Sequence, residues 1–126
     1  KKINNILRKV VTADEGTAKL ADVFGYNVGG KTGTSQNYKD KNNNLNTFIS
    51  IFPSQAPNYA LLVMLENPKV AKNLIYDYKG YKVKAFRNEA GWNSVYVAGK
   101  IIKKIGPILA IKNQDFNNQY VAKRSN

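Results

Sequence analysis

The sequence predicts an α+β fold, in which an antiparallel sheet of at least three strands is flanked by an N-terminal and a C-terminal helix. Three observations favour this fold. Apolar residues recur with helical spacing near both ends of the chain, strand-like runs follow one another between them, and polar turn residues separate those runs. Since the chain has 126 residues, it fits one domain with one core.

The N-terminal helix is predicted over residues 2–13. Its apolar stripe, which we expect to pack on the core, has the i, i+3, i+4 spacing of an amphipathic helix and consists of Ile3, Ile6, Leu7, Val10 and Val11. Turn-forming residues over 13–17 should end the helix. The pattern over residues 18–21 is ambiguous.

Three strands are predicted over residues 23–36, 45–52 and 59–65. The polar stretch 37–44 lacks periodicity, which predicts a hairpin loop and antiparallel pairing of the first two strands. The second strand alternates between two faces and should stop at Pro53. Because the third strand is apolar almost throughout, we expect a central strand that is covered on both faces.

The chain after the third strand is less regular. Residues 75–78 and 81–84 flank Lys79-Gly80 and predict a small hairpin. A second long helix should begin at Asn93 or Ser94, and its core face comprises Val95, Ala98, Ile101, Ile102, Ile105 and Leu109. Gly106-Pro107 should end or kink this helix. We assign residues 1–111 to the domain and residues 112–126 to a polar tail.

Composition excludes several classes of function. The chain contains no cysteine and no histidine, which excludes disulfides, thiolate metal sites and Ser-His-Asp catalysis, so we expect no metal and no cofactor. The formal charge of +12 would suit nucleic acid. Because the lysines are dispersed along the chain and not clustered, we expect no nucleic-acid partner. No apolar run approaches the ~20 residues that span a bilayer, so this piece should be soluble.

The most distinctive stretch is Lys31-Thr32-Gly33-Thr34, near the end of the first predicted strand. It offers a cation and two hydroxyls within a few residues. Glycine at position 33 removes the β-carbon, so that a substrate backbone can lie against the strand. Such a strand suits an extended peptide that ends in a carboxylate.

The longer run over residues 15–36 resembles the segment that contains the Lys-Thr-Gly motif in class B penicillin-binding proteins. Residues 48–53, 59–68 and 90–93 are similar, in order and spacing, to the division (septal) type. This resemblance covers roughly residues 3–111. It implies the C-terminal part of the transpeptidase domain of a peptidoglycan D,D-transpeptidase, which cross-links stem peptides by serine acyl transfer and binds β-lactams.

The resemblance also implies roles for individual residues. Lys31 would supply positive charge beside the substrate carboxylate, which the hydroxyls of Thr32 and Thr34 would bind, and Gly33 would lie against the substrate. The backbone N–H of Thr34 would be one oxyanion-hole donor. The family's Ser-x-x-Lys nucleophile motif is absent from this sequence. The isolated chain is therefore predicted to be an inactive C-terminal fragment of an enzyme.

Two further patterns invite a functional interpretation that we reject. Ser35-Gln36-Asn37 matches the family's Ser-x-Asn, but it directly follows the Lys-Thr-Gly motif and could not face that motif across a groove. Trp92 precedes an apolar-striped helix, which predicts a core residue and not a ligand platform.

By resemblance, the parent protein would be anchored in the bacterial inner membrane with this domain in the periplasm, and would contact other division proteins. Two alternatives stay open. One is a fragment of an elongation-type penicillin-binding protein or of a serine β-lactamase. The other is a basic nucleic-acid-binding module in which the motif is coincidental. Apolar surface left uncovered in the isolated fragment predicts that it self-associates.

Overall fold

The computed structural model describes residues 2–36, 44–78, 80–85 and 87–124, with side chains of the last helix described up to Gln114. The chain forms helix α1 (Lys2–Thr12), a 3-10 turn (Lys19–Ala21), and strands β1 (Gly29–Gln36), β2 (Asn44–Phe52) and β3 (Tyr59–Glu66). There follow a hairpin of β4 (Ile75–Tyr78) and β5 (Tyr81–Lys84), a second 3-10 turn (Ala90–Trp92) and helix α2 (Ser94–Arg124). The predicted α+β fold is confirmed.

Strands β1, β2 and β3 form an antiparallel sheet in that order. The predicted pairing of the first two strands is confirmed, while the loop over residues 37–43 lies outside the described residues. The predicted start of the first strand at residue 23 is wrong, because β1 begins at Gly29. Gly25 (φ 86°) and Asn27 (φ 48°) adopt left-handed conformations. These conformations turn the chain, so that an extended strand cannot begin before them.

The prediction that the third strand is central is also wrong. In the described part of the chain β2 is the central strand and β3 lies at an edge. Val63 is buried, but Leu62 and Met64 are each 54% exposed, because their face of the sheet carries no covering element among the described residues. An apolar run indicates a strand without revealing how many neighbours that strand has.

The hydrophobic core lies on the other face of the sheet. Phe48 and Phe52 of β2 pack there with residues of α2 and with Val11 of α1. The predicted core face of α2 is confirmed for Val95, Ala98 and Ile102, which are buried, and for Ile101 and Leu109, which pack beside them. Its remaining member, Ile105, is only partly buried. Sheet and helices therefore enclose one core, as the length of the chain predicts.

The packing of α1 differs from its predicted stripe. Val11 is buried, whereas Ile3 and Ile6 are 64% and 58% exposed, so only the C-terminal half of the stripe reaches the core. Helix α1 also holds the chain that leads into β1. The guanidinium of Arg8 donates hydrogen bonds to Val28 O (2.7 Å) and to Asp22 Oδ1 (2.9 Å).

Helix α2 does not end at Pro107, and the helix continues to Arg124 through most of the predicted tail. Proline removes one backbone hydrogen bond, but its fixed φ is compatible with a helix. A division of the chain at residue 112 stays a prediction. Among the described residues, no helix combines the length and the apolarity needed to cross a membrane.

The predicted β4–β5 hairpin is confirmed. Gly80 supplies the positive φ of the turn (83°), and its N–H donates to Asp77 Oδ1. Tyr76 is buried, stacks edge-on with Trp92 and Tyr96, and donates its hydroxyl to Trp92 O at 2.6 Å. The hairpin therefore docks on the start of α2, which favours a covering role for its aromatic residues.

Candidate functional site

The Lys-Thr-Gly motif lies on β1, at the edge of the three-stranded sheet. Lys31 pairs with Ile49 across the sheet and shares its face with Gly33. Thr32 and Thr34 point to the opposite face, since successive side chains of a strand alternate. The motif therefore presents its cation and its two hydroxyls on opposite faces of the sheet.

The two threonine hydroxyls are each held by a group from another part of the chain. Thr32 Oγ1 lies 2.9 Å from Thr17 Oγ1, and Thr34 Oγ1 accepts a hydrogen bond from Ala90 N at 3.3 Å. Because a backbone N–H can only donate, Thr34 acts as the acceptor here and retains its own proton as a donor.

A cavity of about 500 Å³ lies beside these hydroxyls. Its wall combines hydroxyl, carboxylate and aromatic groups, contributed among others by Thr17, Thr32, Thr34, Glu89, Tyr78 and Trp92. The core position predicted for Trp92 is wrong, because Trp92 is half-buried and lines this cavity. It belongs to the 3-10 turn before α2, where its ring contacts Tyr76 with the centroids 5.5 Å apart.

Lys31 is exposed, and its Nζ donates to Thr32 O at 2.7 Å. Its side chain is not part of the cavity wall. Backbone N–H and C=O groups lie in the plane of the sheet, and those of residues two apart point in the same direction within it. The Thr34 N–H therefore leaves the strand in the same direction as Thr32 O. The ammonium of Lys31 and the predicted oxyanion donor therefore occupy the same side of β1.

Glycine at position 33 leaves space for a neighbouring side chain. A β-carbon there would lie 2.5 Å from Thr47 Oγ1, which itself donates to Gly33 O at 3.3 Å. The glycine thus makes room for the side chain of its cross-strand neighbour. Clearance for a substrate backbone, the reason derived from the sequence, stays a prediction.

Ser35 belongs to the end of β1, where it pairs with Leu45. It follows the Lys-Thr-Gly motif on the same strand, so it cannot face that motif across a groove. Asn37, the last residue of the literal Ser-x-Asn match, lies outside the described residues. The part of the chain that the structure describes also contains no cluster of three or more His, Cys, Asp or Glu residues that could hold a metal ion.

Sequence reasoning missed the contribution of three asparagines. Asn46 is fully buried on β2, and its Nδ2 lies 3.3 Å from Asn88 Oδ1, which also accepts from Asn93 Nδ2 at 3.1 Å. Since Asn46 is the cross-strand partner of Thr34, this network holds the loop that carries Ala90 against β1. The sequence did contain a signal for this network, since Asn46 is a polar residue on the same strand face as Phe48.

Comparison with known proteins identifies the relatives of this chain. A model of the penicillin binding protein transpeptidase domain matches residues 1–90. The probable peptidoglycan D,D-transpeptidase FtsI of Caulobacter vibrioides is 30% identical over 115 residues, which are 83% of this chain and 18% of that protein. Stage V sporulation protein D of Bacillus subtilis is 44% identical over 73 residues, 55% of this chain and 11% of that protein. The chain thus spans less than a fifth of either relative.

Two solved structures share the fold. The transpeptidase domain of the FtsI4 D,D-transpeptidase from Legionella pneumophila superposes with a TM-score of 0.62 at 30% identity, covering 81% of this chain and 33% of that one. The D,D-transpeptidase domain of a peptidoglycan glycosyltransferase from Eggerthella lenta gives a TM-score of 0.55 at 19% identity, covering 83% of this chain and 19% of that one. At that identity the second match speaks for the fold alone.

Proposed function

Because the chain belongs to the penicillin-binding protein transpeptidase domain family, we propose that it forms the Lys-Thr-Gly wall of a peptidoglycan D,D-transpeptidase of the division type. The observation that carries this proposal is the arrangement of β1. This edge strand presents its two threonine hydroxyls toward an open cavity, and the Lys31 ammonium and the Thr34 N–H at its edge. A cation, an amide donor and hydroxyls are the groups that bind a peptide carboxylate and stabilise an oxyanion.

The parts of the site have different tasks in this proposal. The Thr34 N–H donates to the oxyanion of the tetrahedral intermediate, a contribution of about 3–4 kcal/mol when a second donor is present. Lys31 raises the local positive potential for the carboxylate-terminated substrate. The Thr34 hydroxyl, which accepts from Ala90 N, donates its proton to that carboxylate.

The nucleophile comes from outside this chain in our proposal. No serine of the sequence is followed three residues later by lysine, so the Ser-x-x-Lys pair that activates the hydroxyl is absent. The complete transpeptidase would contain this chain as the C-terminal part of its catalytic domain. We further propose that this protein is anchored in the bacterial inner membrane, exposes the domain to the periplasm, and works with other division proteins on peptidoglycan stem peptides.

Covalent labelling by a fluorescent penicillin tests the proposal. The isolated 126-residue chain should remain unlabelled, and the complete transpeptidase should be labelled. In the complete protein, Lys31→Ala should lower the acylation rate constant by roughly 10²- to 10³-fold, the size of effect seen when an electrostatic contact to the transition state is removed. Thr34→Val should cost less, because the backbone N–H remains.

Lys103→Ala provides the matched control, because Lys103 is exposed on α2. This variant should be acylated at the wild-type rate. Covalent labelling of the isolated chain would contradict the proposed origin of the nucleophile. A complete protein that is acylated equally well with and without the Lys31 ammonium would contradict the site assignment.

A further inference from the structure

We propose that Thr17 is a positioning residue, which orients the hydroxyl of Thr32 toward the carboxylate of the substrate. This inference rests on the proposed function, because it assigns a task to a residue outside the Lys-Thr-Gly motif. Thr17 and Thr32 are 15 positions apart, yet their Oγ1 atoms lie 2.9 Å from each other. Both residues line the same cavity. The ligand that this pair serves is an anion that enters the cavity beside β1.

The backbone around Thr17 is fixed on both sides. Ala18 is buried, and its N–H donates to Val10 O of α1 at 3.1 Å. The carbonyl of Thr17 faces the second 3-10 turn, where a β-carbon on Gly91 would lie 2.7 Å from it. Residue 17 is therefore wedged between α1 and that turn. A hydroxyl on such a backbone can act as a preorganised partner for Thr32.

The direction of the hydrogen bond decides what the pair can do. Each hydroxyl has one proton and can accept as well as donate. If Thr17 donates to Thr32 Oγ1, the Thr32 proton is left for the substrate carboxylate. Thr34 is in the corresponding state, because it accepts from Ala90 N. A bound carboxylate favours this arrangement, since hydrogen bonds to a charged acceptor are the stronger ones.

Without the Thr17 hydroxyl, the Thr32 hydroxyl loses the partner that fixes its rotation. We expect Thr17→Val in the complete transpeptidase to lower the acylation efficiency of benzylpenicillin about five- to tenfold, the effect of one hydrogen bond to an anion acting through a second hydroxyl. Valine keeps the branched shape and removes only the hydroxyl. Thr17→Ser, which restores the hydroxyl, should recover most of the wild-type efficiency.

The methyl ester of benzylpenicillin separates positioning from packing. The ester lacks the carboxylate, so its acylation should change little in Thr17→Val, and the ratio of acid to ester efficiency should fall. The double variant Thr17→Val with Thr32→Val should be no worse than Thr32→Val alone, because Thr17 acts through Thr32. Thr12→Val is the control, since the Thr12 hydroxyl donates to Arg8 O within α1 and should leave the ratio unchanged.

Each outcome has a distinct meaning. Equal losses for acid and ester, or losses in the two single variants that multiply in the double variant, would overturn the positioning role while the proposed function stands. The same holds if Thr17→Val behaves like wild type while Lys31→Ala is impaired. If the complete wild-type protein is not acylated by benzylpenicillin, the proposed function fails, and this inference fails with it.

Discussion

Gly30 and Gly33 stand on the same strand, but alanine should affect the two positions differently. A β-carbon at position 30 would lie 2.5 Å from Ile49 O and 2.6 Å from the ring of Phe48. Neither group can move easily, because one belongs to the sheet backbone and the other is a fully buried core ring. A β-carbon at position 33 would meet only the hydroxyl of Thr47, which can rotate away.

The expected magnitudes follow from these contacts. Overpacking a core costs typically 1–3 kcal/mol, so Gly30→Ala should lower the free energy of unfolding by about 2 kcal/mol or more. Rotating Thr47 sacrifices one long hydrogen bond to Gly33 O, worth about 0.5–1.5 kcal/mol. The smaller conformational entropy of the unfolded alanine chain offsets about 0.4–1 kcal/mol of that loss. Gly33→Ala should therefore change stability by less than about 1 kcal/mol.

Urea unfolding followed by tryptophan fluorescence measures both variants, because Trp92 is the only tryptophan. Adding Thr47→Ala to Gly33→Ala removes the clashing hydroxyl and should leave position 33 without strain. The same addition to Gly30→Ala should rescue nothing. A Gly30→Ala variant as stable as wild type would contradict this difference between the two positions, and so would a Gly33→Ala variant destabilised as much as Gly30→Ala.

Two further predictions concern the hairpin and the open face of the sheet. Burial, followed by the neighbouring Tyr96, raises the pKa of Tyr76, so wild-type stability should fall as pH rises above about 10. Because Tyr76→Phe removes the hydrogen bond to Trp92 O, it should lower the free energy of unfolding by about 1–2 kcal/mol at neutral pH and make the alkaline loss of stability weaker. Tyr81→Phe, at an exposed position, should match wild type. The isolated chain should self-associate through the exposed face around Leu62. Leu62→Lys should therefore shift the mass measured by light scattering toward that of the monomer, while Ile108→Lys, at an exposed position on α2, should not. A wild-type chain that is monomeric at high concentration would contradict this prediction.

The fold was predictable where local signals agree. Strand β2 alternates buried and partly exposed residues and stops at Pro53, and β3 ends where Asn67 adopts a positive φ of 49°. Both strands lie within one residue of their predicted bounds. The start of β1 was not predictable from apolar spacing, since the decisive feature is a backbone turn at Gly25 and Asn27. The sequence pattern also could not show whether a strand lies at the edge or at the centre of the sheet, because the number of neighbours of a strand is a tertiary property.

The candidate site was predictable in its centre and not in its surroundings. The motif itself can be read from four consecutive residues. Its partners are 15 and 56 positions away, and one of them, the N–H of Ala90, is a backbone group that any residue except proline would supply. No pattern of side chains in the sequence can predict such a contact. Thr17 carries a side-chain signal, but its meaning depends on a loop whose path is set by packing against α1.

The alternation of β1 limits how a single ligand can use the motif. Lys31 leaves the strand on the face of Ile49, and the two threonines leave it on the face of the cavity. A ligand that lay flat on one face of the sheet would reach either the Lys31 side chain or the two threonine side chains, but not both. The groups converge only at the edge of β1, where the Lys31 ammonium bends back to Thr32 O and the Thr34 N–H leaves on the same side. A ligand that contacts cation, amide and hydroxyls together would therefore run along this edge in an extended conformation, as an added strand does.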